Sequence, residues 1–263
     1  MITIKTLKKI ALFTSHAPTN SQICSGVIET RRRLLWLPAT LFATSFFHAP
    51  ERLLASTDSS ETQPGEIGWD EFLKQCEPTS RQLHKDSSSK GQDAYLYWIA
   101  SMAARLGLKA IPKAKLGSFA GLNPPVEFGI SYRGVPFFIV EWRMAPNAIL
   151  PPHCHPNASV CTLGIEGETR IRNFEILDKA PEFSSPRSFQ VRETHNEIIA
   201  AGRINTLSAT RDNIHSFQAG KEGARGIDIS TYHGPDVGFS FLDIRNRPVD
   251  AEKRIYEAVW KKL

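Results

Sequence analysis

The sequence predicts a mainly β protein, its strands wrapped into a barrel behind two N-terminal helices and ahead of a short C-terminal one. Three observations carry this reading. From about residue 118 the chain breaks into short alternating or β-rich runs separated by Gly, Pro and Asn turns. Before that, Gln92 to Leu108 places Tyr95, Trp98, Ile99, Met102, Ala103 and Leu106 at helical spacing. Finally, Pro151-Pro152-His153-Cys154-His155-Pro156 is followed about sixty residues later by Asn213-Ile214-His215, which offers three imidazoles as a small barrel presents them to one metal ion.

Taken in order, residues 1–57 read as a leader. They hold seven Lys/Arg and two Asp/Glu, which accounts for the whole formal charge of +5. The remaining residues are balanced, so the folded part offers no electrostatic case for nucleic acid. Thr30-Arg31-Arg32-Arg33-Leu34-Leu35 resembles the twin-arginine export motif, and a moderately apolar run follows from Leu34 to Phe47. Pro38, Thr40, Thr44 and Ser45 interrupt that run, leaving it too short and polar for a stable membrane span. The expected location is the periplasm, reached in the folded state through the twin-arginine machinery, or the cytoplasm if the leader does not function. Leu53-Leu54-Ala55 offers a weakly specified cleavage site, its small residue at the end.

Residues 58–117 read as a linker followed by helices. Ser56 to Gly68 is rich in Ser, Thr and Glu; a first helix starts near Gly68-Trp69-Asp70 and is expected to stop by Pro78. The second covers Gln92 to Leu108, and both should pack on the outside of the barrel. Residues 118–247 form the barrel. Val126 to Tyr132 and Val135 to Arg143 form a hairpin around Arg133-Gly134, with further strands at 159–163, 168–177, 196–199, 204–209, 226–232 and 238–244. Residues 248–263 read as a short helix with Ile255, Val259 and Leu263 in a stripe. With Cys24 in the leader, an odd three cysteines remain, which makes no disulfide framework.

On a strand, side chains two apart share a face. His153 and His155 therefore point the same way and Cys154 the other, and Cys161 shares a face with Ser159 and Leu163. A third imidazole, His215, completes a set that can hold a first-row metal while leaving positions open. The ligand types alone allow Fe, Mn, Ni, Cu or Zn. The histidines at 16, 48, 84, 195 and 233 lack such pairing and are left out.

The stretch from Pro146 to Glu175 resembles the first metal-binding motif of the cupin superfamily, and specifically the thiol dioxygenases that include plant cysteine oxidases and 2-aminoethanethiol dioxygenase. Gly167 stands twelve residues after His155, as in that family. Arg211 to His215 is similar to its second motif, and Gly226-Ile227-Asp228-Ile229 to its apolar strand carrying an Asp. The resemblance covers about residues 125–235. It implies a cupin double-stranded β-helix, a jelly-roll barrel, holding Fe(II) through His153, His155 and His215. General cupins add a Glu four or five residues after the His pair; Ser159 and Val160 stand there, so the ligand set is three imidazoles without a carboxylate. The implied reaction joins O2 to a small thiol (cysteamine, a cysteine-like compound or an N-terminal cysteine) to give a sulfinic acid. Asp228 and Tyr232 are the candidate catalytic residues, Asp228 by orienting a ligand imidazole or a bound oxygen species and Tyr232 by offering a phenol. Arg143 is a candidate for a substrate carboxylate, with a solvent-facing role as the better reading. Other cupin chemistry and a non-catalytic binding or sensor role stay open, since fold does not fix function. A homodimer is a further expectation.

Overall fold

A computed structural model describes residues 65–177, 179–183, 185–234 and 239–261. The leader expected over 1–57 lies outside them. Among the described residues two helices come first, α1 (Trp69–Lys85) and α2 (Ser89–Ala103). Ten strands follow: β1 (Gly117–Ser118), β2 (Val126–Arg133), β3 (Phe137–Met144), β4 (Ile149–Cys154), β5 (Ala158–Ile176), β6 (Phe189–Ile199), β7 (Ile204–Leu207), β8 (Ile214–Tyr232), β9 (Ser240–Ile244) and β10 (Ile255–Trp260). Among the described residues no helix is long and apolar enough to cross a membrane.

The strands form a jelly-roll barrel held together by two long strands. β5 and β8 pair antiparallel from Ala158↔Tyr232 to Phe174↔Ile214. The first half of β5 and the last half of β8 belong to one sheet with β1, β2, β3 and β7. Their other halves close a ring through β4, β9, β10 and β6. Both strands bend where they change sheet, at bulges between Gly164 and Thr169. There Gly167, at φ +66°, approaches β8 so closely that an added Cβ would lie 2.2 Å from the Gly223 carbonyl oxygen. Only glycine fits that crossing.

The helices cover the outside of the first sheet, as expected. Phe72, Cys76, Leu83, Leu96, Ile99 and Met102 pack on Phe137, Ile139, Cys161, Leu163, Ile227 and Ile229. Tyr95 adds a hydroxyl contact with Thr231 Oγ1 at 2.6 Å. This packing also explains why α1 passes Pro78 instead of ending there. Phe72, Cys76, Ser80 and Leu83 form one buried stripe across the proline, and tertiary burial outweighs the single backbone bond that proline removes. Ser88 caps α2 by accepting from the Gly91 amide.

The short C-terminal helix expected within 248–263 does not occur among the described residues; Ile255–Trp260 is a strand, β10, between β6 and β9. The four-residue spacing of Ile255 and Val259 misleads, because both are only half-buried while Ala258 and Trp260 are buried. The operative period is two. Residues 250–254 form the preceding turn, in which the Lys253 amide donates to Asp250 Oδ1. The long strands likewise absorb the separate runs expected at 159–163 and 168–177.

Candidate metal centre

β4 runs antiparallel to β8 with His153 directly opposite His215, and opposite Phe241 of β9 on its other side. Alternation sends Cys154 to the other face, where it packs with Phe174, Val191, Ile214 and Leu242. His155 lies just past the end of β4, its backbone N–H donating to the Asn213 carbonyl at 3.2 Å. Two strands and one strand end thus converge three imidazoles whose ligand nitrogens all lie within 4.8 Å of one another. Nε2 of His155 and Nε2 of His215 are 3.1 Å apart. Two nitrogens at ~2.1 Å from one metal would stand about 3.0 Å apart in an octahedral cis arrangement and about 3.4 Å apart in a tetrahedral one. The residues therefore fit a divalent ion. No carboxylate joins the set among the described residues.

The tautomer of His153 is set by its surroundings. Its Nδ1–H donates to the Pro151 carbonyl at 2.9 Å, which leaves the Nε2 lone pair free for a metal. His153 and His215 are buried and His155 is half-buried. Burial lowers the His153 pKa to about 4, against the opposing pull of the Pro151 bond. Burial also drives His155 and His215 well below the ordinary value, helped by the charge of His153 on both and of His155 on His215. All three are consequently neutral near pH 7, the form that ligates.

An aromatic wall surrounds the imidazoles. Phe217 lies 4.6 Å from His215, and Phe241 and Phe239 lie 5.7 and 5.9 Å from His153, between ring centres. Phe119 packs behind Phe239 and Phe241. None of these was singled out from the sequence. Period-two spacing gives one signal, since Phe217 shares a strand face with His215, but the approach of β9 to β4 has no local signature.

Asp228 is not bonded to a ligand imidazole in this arrangement. Its Oδ1 accepts from Thr162 Oγ1 at 2.7 Å and from Trp142 Nε1 at 3.3 Å. The Trp142 ring in turn packs 5.4 Å from Phe217, which places Asp228 one aromatic layer behind the imidazoles. Gly226 permits this arrangement, since a Cβ there would meet Trp142 at 2.2 Å. Enclosure raises the Asp228 pKa to about 6, against the two hydrogen bonds. Tyr232 stacks on Phe138 at 4.8 Å, and burial pushes its phenol to about 12. Arg143 is exposed and lines a separate surface cleft of about 370 Å³ with Glu127, Glu166 and Arg225. The other described histidines serve elsewhere: His84 donates to the Tyr232 carbonyl, His233 pairs with Ser159, and His195 lies near Asp212. Cys76, Cys154 and Cys161 are free and buried.

No family model and no curated protein matches this chain. Solved structures similar to part of it include an oxalate oxidase in complex with the substrate analogue glycolate, 19% identical over 41% of this chain and 46% of that one, with a TM-score of 0.31. A conserved protein with a double-stranded β-helix domain from Klebsiella pneumoniae is 13% identical over 51% and 93% of the two chains, at 0.34. KdgF from Halomonas sp. is 13% identical over 42% and 81%, at 0.32. The similar region spans less than half of that oxalate oxidase and 27% of procruciferin from Brassica napus. At such identities and scores none of these likenesses bears on activity or ligand.

Proposed function

We propose that this chain is a non-haem iron dioxygenase that oxidises a thiol to a sulfinic acid and is exported to the periplasm already folded. The observation that carries the reading is the neutral ligand set: three imidazoles, with no carboxylate beside them among the described residues. Such a set leaves a divalent ion its full charge, which favours an anionic thiolate and lowers the pKa of the sulfur that approaches it. When bound, iron(II) would supply the redox chemistry for RSH + O2 → RSO2⁻ + H⁺, in which sulfur is oxidised, O2 is reduced and both oxygen atoms end on sulfur.

The protein's own groups serve that reaction in distinct ways. His153, His155 and His215 present lone pairs from a buried, neutral cluster. Phe217, Phe239 and Phe241 line it with apolar surface, and lowering the polarity around a metal strengthens the electrostatic interactions there. Asp228 can hold a proton near neutrality. Its Oδ1 already takes two hydrogen bonds, so Oδ2 is the atom left to carry the proton.

The test uses the full chain loaded with Fe(II) without oxygen, then given O2 and cysteamine, cysteine, 3-mercaptopropionate or a peptide with an N-terminal cysteine. The reading expects oxygen uptake and a product heavier by two oxygen atoms with at least one thiol. Bound iron with no uptake from any of them would move the assignment to other metal chemistry or to a binding role.

A further inference from the structure

A metal bound at this site would leave His215 with a requirement that the ligands themselves do not meet. Its Nε2 faces His155, so presenting that lone pair to a metal puts the ring proton on Nδ1. His215 is fully buried, and its Nδ1 has no hydrogen-bond partner. A buried N–H without an acceptor is rare in a folded protein.

Asn173 of β5 lies directly across from His215 in the ladder. The two share a face, because Ile171 and Phe217, the next pair along, pack together in one cluster while Phe174 and Ile214 pack in another. Asn173 is also fully buried. Its Nδ2 donates to Asn205 Oδ1 at 3.0 Å and to the Thr206 carbonyl at 3.4 Å, both on β7. Asn205 in turn donates to Glu197 Oε1 at 3.0 Å. This chain of bonds fixes which way the Asn173 amide is turned, and its Oδ1 is left buried with no partner. Two orphaned polar atoms thus stand on facing residues. One is an acceptor, and the other becomes a donor in the tautomer that metal binding demands.

We propose that Asn173 is a positioning residue for the metal site. When metal binds, its Oδ1 accepts Nδ1–H of His215, a bond the metal-free arrangement does not make, and the Glu197, Asn205 and Asn173 relay holds that imidazole with Nε2 aimed at the ion. The proposal rests on reading His153, His155 and His215 as metal ligands, and it is independent of which reaction the metal performs. Groups that hold a ligand histidine through its second nitrogen typically account for 10- to 100-fold in metal affinity.

The experiment titrates the full chain and its Asn173→Leu variant with Zn²⁺ alone against a competing chelator, and reads the His215 tautomer in the zinc-loaded proteins by long-range ¹H–¹⁵N correlation. The expected result is a zinc affinity about 10- to 100-fold weaker in the variant. In the unmodified chain His215 should be protonated at Nδ1 and slow to exchange with water, and in the variant the exchange should be fast. Unchanged affinity in a folded variant would overturn the proposal. So would a zinc-loaded unmodified chain whose His215 is protonated at Nε2 or exchanges rapidly at Nδ1, and that measurement decides the matter even if the variant does not fold. Dioxygenase activity enters neither the zinc titration nor the tautomer measurement, so this proposal and the proposed function can fail separately.

Discussion

His155 and His215 bring their Nε2 atoms to 3.1 Å although sixty positions separate them in the chain. Without metal, one of these nitrogens must donate a proton to the other. With metal, both turn lone pairs to the same ion. Replacing either by Ala should therefore weaken zinc or iron binding by more than the roughly 10- to 100-fold typical of losing a group that only orients a ligand, measured by chelator competition, with the barrel still folded by circular dichroism.

The three imidazoles are already neutral at pH 7, held down by burial. Metal binding at pH 7 should therefore release almost no protons from them. The check is titration calorimetry in buffers of different ionisation enthalpy, where the observed heat should not depend on the buffer. A release near one proton per histidine would show that the cluster is charged.

The same shifts set the acid stability of the metal-free protein. A histidine whose folded pKa lies below its unfolded value takes up protons preferentially when unfolded. Stability should therefore be complete above about pH 6.5 and fall as the pH drops toward 4, the value to which His153 is held. Denaturant midpoints measured across that range test the sign, and His153→Ala should flatten the dependence.

Asp228 works in the opposite direction. Its folded pKa is raised to about 6, so its contribution is present below about pH 3.9 and is lost as the pH rises through 6. Asp228→Asn should gain relative to the parent protein as the pH goes from 4 to 7, by on the order of 2 kcal/mol. Its metal affinity should be close to that of the parent, because Asp228 touches Trp142 and Thr162 and no ligand. On the proposed reaction it should lower kcat.

Much of this site can be read from the sequence, because its signals are local. His153 and His155 are two apart, and extended chain at the end of β4 makes them neighbours in space. The distance of Gly167 from His155 marks the crossing of β5 over β8, where a side chain would strike the Gly223 carbonyl. What escapes depends on strands that are distant in sequence. Phe241 meets His153 only because β9 pairs with β4. Asp228 turns to Trp142 instead of an imidazole because β3 and β8 are in register. The last segment defeats a periodicity reading because Ile255 and Val259 mimic a helical stripe, whereas the gap between β6 and β9 demands a strand.

Gly167→Ala should destabilise the fold by at least ~1 kcal/mol, since the variant carries both a positive φ and a blocked carbonyl approach. A urea midpoint shift with unchanged slope would be the expected record. An unshifted midpoint would mean that β5 and β8 separate there at little cost.

The proposed export rests on Arg31 and Arg32 of the twin-arginine-like stretch. Changing both to Lys should shift the protein from the periplasmic to the cytoplasmic fraction of the expressing cell, followed by immunoblot. Unchanged fractionation would remove the twin-arginine reading.

The fate of the oxygen atoms separates thiol dioxygenation from other metal chemistry. The iron-loaded chain is given ¹⁸O2 and the thiol that supports uptake, and the product is weighed by mass spectrometry alongside a His215→Ala control. Thiol dioxygenation should give a sulfinate carrying both labelled atoms, absent from the control. A disulfide, or a product with one label or none, would contradict it.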